Sequence, residues 1–329
     1  MIALFRQKSP GNVVILLLFG LGLKLPLFLS PKWIVVPQQD GWLYVQLIKV
    51  FSSAQGGLLA GVLAFLLLYI QALMVNHVVN EYRMTGRQTF LPGMAFLLIT
   101  SLVPDWSCLS APLIASTLVV WAFSKLFELY NTTAANTRIY NIGFFLGLAS
   151  FFYFPSLAFA LCLFIGAAIL RPFRVNEVFL LFMGILTPFY FFAAYLFLTD
   201  QLSVKALFPV VRIAVPVGRP SYWMLSSIIV LVIPFLMGGF YIQTQLRKML
   251  IQARKNWSVL LLYVLLAVLI PFINNDGTYT AWVTTAAPVA AFHACAYLYP
   301  ERKWVTNALF IIVVLFIIFQ AYGMHFLKL

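Results

Sequence analysis

Long apolar stretches separated by short polar connections extend over almost the whole chain. A helix needs roughly 20 mostly apolar residues to cross a membrane, and somewhat fewer when it packs among neighbouring helices. We therefore predict eleven membrane-spanning helices, with nine or ten as the alternative, because the third, fifth and sixth stretches are short. The predicted spans are residues 12–29, 57–76, 92–103, 111–130, 141–154, 156–170, 177–198, 222–242, 257–273, 279–298 and 305–324.

The composition agrees with this pattern. Of the 329 residues, 63% are hydrophobic and only 9% are charged, and the mean hydropathy is +0.99. So few polar side chains cannot cover a water-soluble surface, and a disordered chain would be far less hydrophobic. Three cysteines are too few for a disulfide framework. The sequence thus predicts an all-α, polytopic bundle that forms a single integral-membrane domain over residues 1–329.

The basic residues predict the orientation of the bundle. The chain carries 21 Lys and Arg against 8 Asp and Glu, and basic residues are concentrated in cytoplasmic loops. With the N-terminus in the cytoplasm, most of them fall on that side: Arg6, Lys8, Arg83, Arg87, Lys125, Arg138, Arg171, Arg174, Arg247, Lys248, Arg254, Lys255, Arg302 and Lys303. The net charge of +13 then needs no nucleic-acid partner. We predict a multi-pass protein of the bacterial inner membrane.

Two outer connections are long enough to carry function. Residues 30–56 include a predicted amphipathic helix at 41–52, which would lie along the outer interface with one apolar face formed by Leu43, Leu47, Val50 and Phe51. Residues 199–221 form the second long outer loop. Lys24, near the outer end of the first span, is expected to extend its ammonium group to the interface.

The acidic residues divide by type between the two sides. Under this topology all four aspartates are at outer ends or in outer loops, and all four glutamates are at cytoplasmic ends: Asp40, Asp105, Asp200 and Asp276, and Glu81, Glu128, Glu177 and Glu301. Because the glutamates lie near basic residues, we expect them to form salt bridges. The aspartates are better candidates for a site, since acids near membrane depth are costly and often functional.

Asp40 is the most informative of these acids because it directly precedes the predicted interfacial helix. It is either the N-cap of that helix or a catalytic acid or base, and one residue can serve as both. Asp105 follows Pro104 in the next outer connection, which is also typical of a tight turn. Asn275 and Asp276 lie in a turn-forming sequence rich in hydrogen-bonding groups and are candidates for substrate binding.

The loop at 199–221 carries three cations on the side where positive charge is disfavoured. Lys205, Arg212 and Arg219 lie among apolar residues, a combination that suits an amphiphile with an anionic phosphate at the interface. Ordinary phospholipid headgroups would suit it equally. We predict that these three residues bind either a lipid-linked substrate or membrane lipid.

This arrangement resembles the GT-C superfamily of integral-membrane glycosyltransferases, which take a sugar from a polyprenyl-phosphate carrier on the outer face. The resemblance lies in the cytoplasmic N-terminus, Asp40 with its following helix, Asp105 in the second outer loop and Asp276 after the ninth span. It implies that Asp40 activates the acceptor and that Arg212 or Arg219 contacts the carrier phosphate. The chain has no Asp-x-Asp or Asp-Glu pair in those loops, and it is also similar to uncharacterised bacterial multi-span proteins.

Three functions therefore stay open. The first is a GT-C-like glycosyltransferase with Asp40 and Asp105 as catalytic residues; it needs no cofactor, although converging acids would suit a divalent metal. The second is a non-catalytic subunit of a cell-envelope assembly, with a membrane-protein partner. The third is a transporter or flippase of an amphiphilic anion, for which Pro188, Pro234 and Pro288 would break helices near the midplane.

Overall fold

Apolar helices account for most of the fold. The computed structural model of the chain describes residues 2–7, 9–29, 41–50, 56–132, 135–172, 174–203, 207–215, 221–275 and 277–323. Within those ranges it has fourteen α-helices and no β-strand. The helices are α1 (Ile2–Phe5), α2 (Gly11–Leu23), α3 (Leu25–Leu29), α4 (Trp42–Val50), α5 (Gly56–Glu81), α6 (Leu91–Leu102), α7 (Ala111–Phe127), α8 (Asn136–Ser150), α9 (Phe159–Leu170), α10 (Val175–Leu198), α11 (Tyr222–Gln245), α12 (Ile251–Leu269), α13 (Ala286–Leu298) and α14 (Lys303–Ile318).

The helices follow the apolar pattern of the sequence. Each of the eleven predicted spans overlaps a helical segment, and the first is divided into α2 and α3 at Lys24. Six helical segments are both long and apolar enough to cross a membrane: Gly57–Glu81, Val175–Leu198, Tyr222–Lys248, Ile251–Phe272, Thr280–Leu298 and Lys303–Ala321. The prediction of a helical membrane bundle is thus confirmed.

Burial explains why some helices are short. All twelve residues of α6 are buried, and so are twelve of the thirteen residues of α13. These two helices pack against each other and against α5, so they form the centre of the bundle. A helix surrounded by protein does not have to match the thickness of the hydrocarbon layer with its own length.

The outer helices are α10, α11 and α14. Only 28%, 22% and 28% of their most apolar stretches, respectively, is buried inside the bundle. Pro188 lies within α10 and Pro234 within α11, and both helices continue past them. Pro288 lies in the first turn of α13, where a missing N–H is tolerated. The expectation that these prolines break helices is therefore wrong.

Two close glycine contacts set the positions of α10 and α11, two of the three outer helices. A Cβ atom on Gly184 of α10 would lie 2.2 Å from the carbonyl oxygen of Tyr140 in α8. A Cβ atom on Gly238 of α11 would lie 1.9 Å from the carbonyl oxygen of Phe292 in α13. Small residues at such crossings let two backbones approach closely, which is a common basis of helix association in membranes.

The bundle has two chemically different ends. One, which we call the aspartate end, contains the 3₁₀ turn Pro104–Ser107 with Asp105. The other, the basic end, holds ion pairs of Glu128 with Lys125 (2.6 Å) and of Glu177 with Arg171 (3.1 Å). These pairs confirm the expected salt bridges for two of the four glutamates.

Candidate functional site

The start of α4 is fixed against the turn that follows α8. The amide of Gly41 donates to the carbonyl of Phe152 (3.0 Å), and the amide of Leu43 donates to that of Phe151 (3.1 Å). A Cβ atom on Gly41 would lie 2.0 Å from the Phe151 carbonyl oxygen, so this approach requires glycine. The Gly41 carbonyl accepts the bond from Val45, which makes Gly41 the N-cap residue of α4.

This geometry bears on the alternatives for Asp40, which itself lies outside the described residues. Because Gly41 occupies the N-cap position, Asp40 is one residue earlier than the place from which a side chain ordinarily caps a helix. The backbone carbonyls of Phe151 and Phe152 already accept from two amides at the start of α4. Asp40 as a helix cap and Asp40 as a catalytic acid or base both stay predictions from the sequence.

The face of α4 that packs against the protein lies next to the apolar face formed by Leu43 and Leu47. The residues buried on this helix are Tyr44 and Ile48, whereas Leu43 and Leu47 are only partly buried. The hydroxyl of Tyr44 donates to the carbonyl of Leu109 (3.2 Å). Leu43 and Leu47 are thus left partly exposed, as expected for the apolar face of a helix that lies along a membrane interface.

Asp105 is exposed on a turn that contacts a second loop. The turn Pro104–Ser107 is a 3₁₀ helix, in agreement with the predicted tight turn. The indole Nε1 of Trp106 donates to the carbonyl of Tyr279 (2.8 Å). This bond joins the Asp105 turn to the loop that contains Asn275.

Lys24 belongs to the same end and does not reach outward as predicted. Its residue surface is only 2% exposed, and its Nζ atom donates to the Oγ atom of Ser107 (2.8 Å). Ser107 in turn donates to the carbonyl of Thr100 (3.0 Å). Among the described residues no acid forms an ion pair with Lys24. A buried ammonium group of this kind marks a functional site more often than a structural one.

The position of Lys24 in the sequence is compatible with burial as well as with exposure. Lys24 lies between Leu23 and Leu25 in an apolar run, several residues before the polar connection begins. A lysine at that distance from the helix end can extend along the surface to the interface or turn into the bundle. Lys24 turns inward because its hydrogen-bond partner, Ser107, lies there, and Ser107 is 83 residues away in the sequence.

The long loop pairs with the turn after α12. The amide of Asn274 donates to the carbonyl of Arg212 (2.7 Å), and the amide of Arg212 donates to the Oδ1 atom of Asn274 (2.7 Å). Ile213 and Ile273 form an antiparallel bridge between the same segments. The Asn275 side chain donates to the carbonyl of Pro271 (2.8 Å) and accepts from Gly277 (2.6 Å). Asn275 therefore stabilises this turn directly.

The described part of the long loop also presents apolar side chains. Val210 is 63% exposed and Ile213 is 85% exposed, with Arg212 exposed between them. Phe208 stacks on Phe189 of α10 with ring centroids 5.5 Å apart. Exposed apolar residues around an arginine suit contact with lipid tails and a phosphate.

The structure thus brings together three of the seven residues that the sequence singled out. Asp105, Arg212 and Asn275 lie on segments joined by hydrogen bonds at the aspartate end. Asp40, Lys205, Arg219 and Asp276 lie outside the described residues. Within the described ranges, no group of three or more His, Cys, Asp or Glu side chains is arranged to hold a metal ion.

The fold and this site define a helical membrane protein with a polar site at one end of its bundle. The chain belongs to a family of unknown function, DUF6427, which matches it over residues 40–328. No curated protein and no solved structure matches the chain.

Proposed function

We propose that the protein is a GT-C-like membrane glycosyltransferase that uses a polyprenyl-phosphate-linked sugar on the outer face of the membrane. The observation that carries this proposal is the set of hydrogen bonds that joins three segments at the aspartate end. The Asp105 turn bonds to Tyr279, the turn after α12 bonds to Arg212 of the long loop, and the buried cation Lys24 bonds to Ser107 of the Asp105 turn. An exposed acid, Asp105, and an exposed cation, Arg212, lie on two of these loops. Such a site combines a group that can accept a proton with groups that can bind a phosphate.

The chemistry assigns a task to each residue. An acceptor hydroxyl loses its proton to a carboxylate, Asp40 or Asp105, as its oxygen attacks the anomeric carbon of the sugar. The bond between that carbon and the phosphate oxygen breaks, and the phosphate leaves on its lipid. Lys24 and Arg212 stabilise the charge on the departing phosphate. Lys205, Arg219 and Asp276 would extend the same site, and lipid tails would contact the apolar residues of the long loop.

The topology belongs to the same proposal. We infer eleven crossings with the N-terminus in the cytoplasm, which puts the aspartate end outside and the basic end inside. The basic residues at the basic end support this orientation, because basic residues are concentrated in cytoplasmic loops. A carrier lipid in the outer leaflet would then reach Arg212 and the long loop.

Cysteine labelling tests this orientation. In a variant without native cysteines, a cysteine at the exposed position Gln201 is expected to react with a membrane-impermeant maleimide added to intact cells or spheroplasts. A cysteine at exposed Gly86, where a side chain meets no atom within 4 Å, should react only after the membrane is permeabilised. The reverse pattern would place the aspartate end in the cytoplasm and refute an outer-face site.

The activity is tested with purified protein in nanodiscs and a panel of polyprenyl-phosphate sugars. Asp40→Asn keeps the shape of the side chain but cannot accept a proton, so turnover is expected to fall at least about a hundredfold, or ~3 kcal/mol in the barrier. Asp105→Asn tests the second carboxylate in the same way, and Asp200→Asn is the matched control for an outer aspartate without an assigned task.

The other two functions predict different results from this assay. A subunit of an envelope assembly would neither bind nor turn over any carrier, and both Asn variants would keep their membrane partner. A flippase would move the carrier between leaflets without cleaving it. Full turnover by both variants would contradict catalysis by these carboxylates.

A further inference from the structure

Three aromatic side chains form a cluster at the aspartate end. The ring centroid of Trp282 lies 5.7 Å from that of Tyr279 and 5.6 Å from that of Phe272. All three residues are partly exposed. Trp282 lies in the 3₁₀ segment Thr280–Thr285, which packs on α7, on α12 and on the turn Pro104–Ser107. We call Phe272, Tyr279 and Trp282 the aromatic platform.

Hydrogen bonds join the aromatic platform to both groups of the candidate site. On one side, the Nε1 atom of Trp106, in the turn that carries the exposed acid, donates to the carbonyl of Tyr279 (2.8 Å). On the other side, the amide of Ala214, two residues after the exposed arginine, donates to the carbonyl of Phe272 (2.9 Å). In the proposed reaction the sugar lies between a carboxylate and the leaving phosphate. The platform thus belongs to the segment that links these two groups.

The position of the platform distinguishes it from an aromatic belt. Tyr and Trp that anchor a protein at the membrane interface lie on lipid-facing helices, as does Trp304, which is 66% exposed at the start of outer helix α14. Tyr279 and Trp282 instead lead into α13, of which twelve of the thirteen residues are buried. Aromatic rings at the end of a central helix are placed for a ligand that reaches the end of the bundle.

We propose that the aromatic platform binds the sugar of the lipid-linked substrate, stacked as a pyranose ring on Trp282. This inference rests on the proposed function and names its sugar as a pyranose such as glucose. The C–H bonds of such a ring point to its two faces and suit the electron-rich face of an indole. Its hydroxyls point outward along its edge. The hydroxyls of Thr278 and Thr280, 2.9 Å apart in the same loop, can donate to or accept from them.

The platform is tested with two phosphodiesters of equal charge, glucosyl farnesyl phosphate and methyl farnesyl phosphate. Binding to the full-length protein in detergent is measured by calorimetry without an acceptor. The wild-type protein is expected to bind the glucosyl compound about tenfold more tightly. Trp282→Leu should remove this preference and leave binding of the methyl compound unchanged, whereas Trp282→Phe should keep most of it. Trp304→Leu is the matched control and should keep all of it.

A second variant keeps the inference testable if Trp282→Leu does not fold. Tyr279→Leu removes the neighbouring ring, retains the backbone carbonyl that accepts from Trp106, and should also reduce the preference. A wild-type protein that binds both compounds equally would overturn the platform and leave the phosphate site intact. A preference that survives in folded Trp282→Leu and Tyr279→Leu proteins would overturn it as well. Binding of neither compound would refute the proposed function and this inference with it.

Discussion

Replacing Lys24 by Met is expected to stabilise the protein and at the same time to remove its activity. Lys24 is buried, and within the described residues its ammonium group donates a hydrogen bond to the neutral hydroxyl of Ser107 and pairs with no acid, so its charge is poorly compensated for the loss of water. An apolar side chain of similar length should raise the free energy of unfolding by about 1–4 kcal/mol. Loss of the cation at the leaving phosphate should lower turnover at least about a hundredfold, or ~3 kcal/mol in the barrier.

The opposite signs of the two effects make this prediction specific. Thermal unfolding in detergent measures the gain in stability. Turnover, or binding of a short polyprenyl phosphate, measures the loss of activity. Lys49→Met removes an exposed lysine from α4 at the same end and should change neither. A destabilised Lys24→Met protein would mean that the ammonium group supports the fold. A stable and fully active one would remove Lys24 from the site.

Replacing Gly238 by Ala is expected to have the largest effect on the fold. The added methyl group would lie 1.9 Å from the Phe292 carbonyl oxygen, and a backbone carbonyl within α13 cannot move aside as a side chain can. Because α11 packs mainly on α13, the two helices must separate. We expect a loss of about 3 kcal/mol or more in the free energy of unfolding, measured by thermal unfolding and by the yield of monodisperse protein.

The next residue provides a matched control for this effect. A Cβ atom on Gly239 would meet no atom within 4 Å. Gly239→Ala should therefore be neutral or slightly stabilising, since alanine is the better helix former. If the two variants behaved alike, close contact between α11 and α13 would not be what positions α11.

Most of the helices could be predicted from the sequence because one physical signal, a run of apolar residues, determines them. All eleven predicted spans correspond to helices, and the prolines in α10 and α11 did not alter that correspondence. A run of apolar residues does not predict whether lipid or protein surrounds the helix. The complete burial of α6 depends on neighbours that are distant in sequence, and an apolar residue is compatible with both lipid and protein.

The site was less predictable because its contacts are long-range. Tight turns at Pro104–Ser107 and around Gly277 follow from local chemistry, and the structure contains both. The pairing of Arg212 with Asn274 joins residues 62 positions apart. The burial of Lys24 and the hydrogen bond of Tyr44 in α4 to Leu109 likewise are tertiary contacts that no local pattern encodes.

The most direct test of the central claim is to map where the protein holds a lipid phosphate. A photoreactive polyprenyl phosphate, cross-linked to the purified protein in nanodiscs and located by mass spectrometry, is expected to label residues 207–215 and the turn Pro104–Ser107. Labelling should be lost in Lys24→Met and retained in Lys49→Met. Labels scattered along the exposed faces of α10 and α14, and unaffected by Lys24→Met, would contradict a phosphate site at the aspartate end.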